Sequence, residues 1–172
     1  MKVYSSLLLL EGNNIVIQLR DNKSKIRYPG LFSVFGGALE ENETPEEALI
    51  REINEELPFL NIKEKKFEFY KRFDWKDKLG IYLNEIKGKI PNVSDLFGHP
   101  IEVIKKESKS IIDNLFILRI SKDVLKTLEA KEGNCSMSFS PNVAKALIMV
   151  PLDKLMILHF IAKNNLVDYT DN

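Results

Sequence analysis

The sequence predicts an α+β fold, and three features carry that reading. Apolar strand-like runs follow one another near the N-terminus, a well-capped amphipathic helix begins after Thr44, and a second helical stretch lies late in the chain. At 172 residues, with 44% hydrophobic and 29% charged side chains, the chain fits a single domain over 1–172. A chain of this size buries roughly 70% of its unfolded surface, so its core needs neither disulfides nor a structural metal.

Residues 3–10 and 15–19 are apolar runs separated by Glu11-Gly12-Asn13-Asn14, the Gly/Asn punctuation that closes a β-hairpin. Ser5 and Ser6 break the first run and Glu11 stops it, which makes it a core strand rather than a signal peptide. Residues 31–35 read as a third strand, ending at the pair Gly36-Gly37. Thr44-Pro45-Glu46-Glu47 then opens a helix: Thr44 caps it, Pro45 suits the first helical position, and Glu47 completes a capping box. Leu49, Ile53 and Leu57 recur at four-residue spacing and form its buried stripe, and Pro58 ends it by forcing the preceding residue out of the α region.

Further on, residues 67–73, 79–86 and 111–120 read as strands, 136–139 as a short strand, and 151–163 as a helix. Between them, residues 87–110 hold Gly88, Pro91, Gly98, Pro100 and the basic run of Lys105, Lys106 and Lys109. They read as an insertion serving as a lid or as a homodimer contact.

The 25 basic residues balance the 25 acidic ones, so no net field draws the chain to nucleic acid or to an anionic membrane. The apolar stretch at 146–162 is interrupted by Pro151, Asp153 and Lys154 and falls short of the ~20 apolar residues of a membrane span. One cysteine, Cys135, excludes an internal disulfide and fits a reducing compartment, so a cytoplasmic location is expected.

The helix after Thr44 carries Arg51, Glu52, Glu55 and Glu56. At 100° per residue the three glutamates fall within an arc of about 100° that adjoins the Leu49/Ile53/Leu57 stripe. Like charges at this spacing repel, so something must compensate. Arg51 stands four residues from both Glu47 and Glu55 and is placed to brace the helix from the side. A hard divalent cation is the other answer, since Mg²⁺ takes a few carboxylates and completes its shell with water and phosphate oxygens. Taken alone, such a helix is equally compatible with a solvated acidic face.

From Gly37 the spacing runs glycine, five residues, Glu43, seven residues, then Arg51-Glu52-Ile53-Asn54-Glu55-Glu56-Leu57-Pro58-Phe59, and this resembles the Nudix box. One position departs from the pattern, Pro58, where the family usually has glycine. Proline stops the helix as glycine would but cannot take the left-handed conformation, so the chain must leave by another path. Residues 18–21 and 28–37 are similar to the strand and loop that lead into the box in many bacterial members, which often carry tryptophan where Phe32 stands. Lys131-Glu132-Gly133 is similar to a loop in which several members place a further glutamate.

The resemblance implies the Nudix α/β/α sandwich, a mixed sheet flanked by helices, and hydrolysis of a nucleoside diphosphate linked to another group. It further implies Mg²⁺, with Mn²⁺ as a substitute, held by Glu52, Glu56 and the Gly37 carbonyl. By the same resemblance Glu55 is a ligand or the base, Glu132 the alternative base, and Arg51 and Glu43 structural. Arg20 and Gly36 are the candidates for contact with the substrate, a small nucleotide such as a nucleoside triphosphate or ADP-ribose. Lys23, Lys25 and Arg27 form a basic loop beside the site, read first as solvated, and His99 and His159 lack metal-like spacing. Trp75, Tyr70 and Tyr82 read as core aromatics.

Two rival readings follow from the fold. A nucleotide sensor without catalysis would have no need of three converging carboxylates. A prenyl diphosphate isomerase, which shares the fold, pairs a cysteine with a glutamate, whereas Cys135 lies late in this chain.

Overall fold

The computed structural model describes residues 1–24, 26–87, 89, 101–128 and 133–166. The chain opens with the hairpin of β1 (Lys2–Glu11) and β2 (Asn14–Arg20), turned by Gly12 at φ +59°. Next come β3 (Phe32–Ser33), β4 (Phe35–Ala38) and α1 (Pro45–Glu56). Two short helical turns lead to β5 (Glu68–Asp74), α2 (Trp75–Ile86), α3 (Ile101–Ser108) and β6 (Ile111–Ile120). The last elements are α4 (Lys122–Thr127), β7 (Gly133–Phe139), α5 (Pro141–Ala146) and α6 (Pro151–Asn164).

The strands form one seven-stranded sheet in the order β3-β2-β1-β6-β5, with β4 beside β1 and β7 beside β2. β1 and β6 run parallel, from Lys2 opposite Ile111 to Glu11 opposite Ile120. A central parallel strand must be covered on both faces, and this is why β1 is apolar at consecutive positions. Leu7 and Leu9 pack with Leu49 and Ile53 of α1, whereas Leu8 and Leu10 pack with Leu155 and Phe160 of α6. The α/β/α sandwich thus follows from the alternation of side chains along one strand. α6 is apolar on nearly every side because it fills the second layer, with residues 154–162 all buried.

Two expectations need correction. Residues 79–86 are not a strand but part of α2, where Trp75, Leu79, Tyr82 and Ile86 are buried at helical spacing and the Asp74 side chain accepts the Asp77 N–H at the N-cap. The apolar density there masked the 3.6-residue period. Residues 31–35 are not one strand, because the chain changes partner at Val34: β3 pairs with β2, while β4 pairs with β1.

The capping box at Thr44 and Glu47 is present as expected. Pro58 starts a short helical turn, and the left-handed residue appears three positions later at Asn61, φ +49°. Of the stretch 87–110, the described part includes α3, whose Ile104 is buried in the core; residues 90–100 lie outside the described residues. Lys154 is fully buried, and its Nζ donates to the carbonyls of Ala144, Lys145 and Leu147 at the end of α5. Burial pushes its ammonium down to about 8. Among the described residues no helix is long and apolar enough to cross a membrane.

Candidate active site

Gly36 and Gly37 lie on β4, opposite Ser6 and Ser5 of β1, and α1 packs over them. Gly36 has φ +122°, and a Cβ there would fall 2.1 Å from the Ser5 carbonyl oxygen, so only glycine fits. At Gly37 a Cβ would fall 2.3 Å from the Glu52 carboxyl carbon. The backbone of β4 and the carboxylate face of α1 are therefore in direct apposition.

The three glutamates have separate surroundings. Glu56 is 5% exposed; the Gly36 N–H donates to its Oε2 at 2.8 Å and the Gln18 amide to its Oε1 at 3.0 Å. Glu52 is partly buried and accepts from Arg51 Nη1 at 2.7 Å. Glu55 is exposed, on the outer side of the same helix face.

Arg51 does not brace Glu47 and Glu55. Glu47 is engaged by Thr44 in the capping box, and Arg51 turns instead to Glu43, with Nε at 2.8 Å and Nη2 at 2.9 Å, and to the Ala38 carbonyl at 3.0 Å. This fork ties the loop before α1 to the helix and to β4. The Arg51 hydrogen bonds hold the Glu43 carboxyl down to about 2. Glu43 and Arg51, each expected to be structural, are joined to one another, a pairing the spacing did not suggest.

Beside these groups opens a cavity of about 300 Å³. Glu52, Glu56, Gly36 and Gly37 line it, together with Arg20, Arg27 and Tyr28. Arg20, expected near the glycine pair, lines the same cavity. From the basic loop Arg27 lines the cavity, while Lys23 pairs with Asp21; Lys25 and Glu132 lie outside the described residues.

Two cavity residues escaped the sequence reading: Asp113 of β6 and Asp153 of α6. Burial pushes the Asp113 carboxyl up to about 6, against a hydrogen bond from the Ser6 hydroxyl at 2.7 Å. Burial, and then the neighbouring Asp113, push Asp153 up to about 8, against the Val34 N–H donated to its Oδ2 at 3.1 Å. Each acid interrupts an otherwise apolar segment, which was the available signal.

His159 lies away from this cavity, in the α6 layer, bonded to Glu85 at 2.8 Å and Tyr70 at 3.2 Å; His99 lies outside the described residues. Trp75 and Tyr82 are core residues as expected, although on a helix.

The donor set fits a small hard cation. Glu52 and Glu56 stand one helical turn apart, with the Gly37 backbone against Glu52, and Mg²⁺ or Mn²⁺ binds through one or two carboxylates plus water and phosphate oxygens. Among the described residues no group of three or more aspartate, glutamate, histidine or cysteine side chains is placed to hold a metal ion, so the fit rests on two carboxylates and backbone.

Comparisons with known proteins agree with this geometry. The family described as NUDIX domain matches residues 2–95, more than half of the chain. An 8-oxo-dGTP diphosphatase of Proteus vulgaris is 49% identical over 57 residues, which are 33% of this chain and 49% of that protein, so the chain spans about half the length of this curated relative. Among solved structures, a mutT/nudix family protein from Listeria innocua superposes with a TM-score of 0.61 at 17% identity, covering 95% of this chain and 94% of that one. The dihydroneopterin triphosphate pyrophosphohydrolase of E. coli gives 0.58 at 13% identity, covering 94% and 95%. A bifunctional NMN adenylyltransferase/ADP ribose pyrophosphatase from Francisella tularensis, complexed with AMP and a Mn ion, also gives 0.58, at 17% identity over 95% of this chain and 41% of that one. A box of glycines, glutamates and arginine folded onto a mixed sheet, together with a family match over most of its N-terminal half and beyond, establishes that the chain belongs to the Nudix family.

Proposed function

We propose that the chain is a Mg²⁺-dependent hydrolase of a nucleoside diphosphate linked to another moiety, with water attacking a phosphorus of the diphosphate. One observation carries the reading: the carboxylates of Glu52 and Glu56 and the Gly36-Gly37 backbone meet at a cavity that also presents Arg20 and Arg27. A diphosphate is an anion that repels an attacking hydroxide, so its hydrolysis needs charge neutralisation and an activated water together. When bound, a divalent cation supplies both.

In this reading Glu52, Glu56 and the Gly37 carbonyl hold the cation, and Mn²⁺ substitutes for Mg²⁺. Arg20 binds a phosphate oxygen, and Gly36 permits the close approach of substrate while its N–H orients Glu56. Glu55, exposed beside the pair, is a ligand or takes the proton from water, with Glu132 as the alternative base. Arg51 and Glu43 fix the loop that delivers these groups. The substrate class we favour is a small nucleotide, a nucleoside triphosphate or a nucleotide sugar such as ADP-ribose; the 8-oxo-dGTP diphosphatase and the ADP ribose pyrophosphatase named above bear the names of one substrate of each kind. The single cysteine and balanced charge support a cytoplasmic protein without nucleic-acid partners, and residues 87–110 are our candidate for a lid or dimer contact.

The test is product analysis with Mg²⁺ against nucleoside triphosphates, nucleotide sugars and dinucleoside polyphosphates, with Glu56→Gln as control. Cleavage of one class, lost by a factor of about 100 or more in the control, is expected. Nucleotide binding without cleavage across the panel would instead make the chain a sensor.

A further inference from the structure

Val34 is the one residue between β3 and β4, where the chain passes from pairing with β2 to pairing with β1. Its side chain is buried, so its peptide groups need internal partners at the point where the ladder breaks. Both partners are side chains. The Val34 N–H donates to Asp153 Oδ2 at 3.1 Å, and the Val34 carbonyl accepts from Gln18 Nε2 at 3.4 Å. The same Gln18 nitrogen gives its second hydrogen to Glu56 Oε1 at 3.0 Å. Both neighbours of that nitrogen are acceptors, which assigns the amide orientation.

Gln18 is 3% exposed and lies on β2, whereas Glu56 is on α1 and Asp153 on α6. The backbone of a single residue, Val34, thus stands between one helix layer and the other, its N–H in the peptide group shared with Ser33 and its carbonyl in that shared with Phe35, and the last link is a carboxylate oxygen of the box. The opposite oxygen, Oε2, is held by the Gly36 N–H two residues beyond Val34. A carboxylate held at both oxygens keeps lone pairs for a further partner while losing its freedom to rotate.

We propose that Gln18 and Asp153 are positioning residues for Glu56: Gln18 orients its carboxylate directly, and Asp153 does so through the backbone of Val34, which it holds on one side and which anchors Gln18 on the other. The inference rests on the reading of Glu56 as a cation ligand. Partners of metal-binding side chains commonly govern affinity by about 10- to 100-fold.

The experiment is calorimetric titration of the full chain with Mn²⁺ alone, accompanied by thermal unfolding of each variant. Gln18→Met, which keeps shape and loses the donor, is expected to weaken Mn²⁺ binding at least about tenfold. Asp153→Ala is expected to weaken it about three- to tenfold, and Asp153→Asn, whose amide oxygen still accepts the Val34 N–H, to recover affinity to within about threefold of the parent. Because Asp153 acts only by way of Val34 and Gln18, the Gln18→Met/Asp153→Ala pair should bind about as well as Gln18→Met alone. If Gln18→Met unfolds, Gln18→Asn tests the same contact by withdrawing the amide one methylene.

Unchanged affinity in Gln18→Met with a loss in Glu56→Gln overturns the positioning role alone, as does strict additivity in the pair. Unchanged affinity in Glu56→Gln overturns the reading of Glu56 as a ligand, and the positioning role falls with it.

Discussion

Gly36 and Gly37 are neighbours with different obligations, and the same substitution should separate them. Gly36→Ala places a methyl group on the Ser5 carbonyl at a φ of +122°, a clash between backbone segments that the sheet cannot relieve. We expect a loss of about 2 kcal/mol or more in unfolding free energy by urea titration. Gly37→Ala meets only the carboxylate end of Glu52, which can swing away. That variant should fold with a melting temperature near the parent's and lose kcat/KM by at least about tenfold, because Glu52 leaves the wall it shares with Glu56. Equal stability losses in the two variants would contradict the distinction.

Among single residues, the box glutamates and glycines were legible because their spacing falls within one short window of sequence. Asp113 and Asp153 were not, since only folding brings residues so far apart in sequence to one cavity.

α1 shows why some elements can be read from local sequence. Its capping box, its proline at the first turn and its stripe of Leu49 and Ile53 all give the same answer. Thr44→Ala removes the acceptor of the Glu47 N–H and one of the two donors to its carboxylate, leaving the Thr44 backbone N–H. The expected cost is about 1 kcal/mol, or about 2–4 °C in melting temperature by calorimetry, with the fold retained. α2 shows the opposite case. Eight residues of dense apolar character admit either period, and the deciding cap, Asp74, lies outside the stretch that attracts the eye. The split between β3 and β4 was equally hidden, because it depends on partners contributed by β2 and α6.

For the whole molecule, buried ionisable groups make stability depend on pH. Asp153 binds its proton more tightly when folded, about 8 against an ordinary 3.8, so the folded state holds the extra proton between these limits. Stability from this group is full below the unfolded value and is lost as pH rises through the folded one. His159, whose imidazole burial pushes down, works in the other direction, with stability lost as pH falls below 6.5. Between pH 6.5 and 7.5 the Asp153 effect stands apart, and urea titrations should show stability falling by roughly 1 kcal/mol per pH unit. Asp153→Asn should flatten that slope; a slope unchanged by the substitution would assign it to another group.

The parallel pairing of β1 with β6 also has a history in time. Lys2 finds its partner at Ile111, so β1 leaves the ribosome well before β6, the strand it pairs with in parallel. At about 5–20 residues per second, the roughly 110 intervening residues take on the order of 5–20 s to synthesise. Throughout that interval Leu7, Leu8, Leu9 and Leu10 have one free edge and no complete layer above or below them. The nascent chain therefore offers a short apolar segment to chaperones, and to its neighbours on the same message, until β6 arrives to close the sheet.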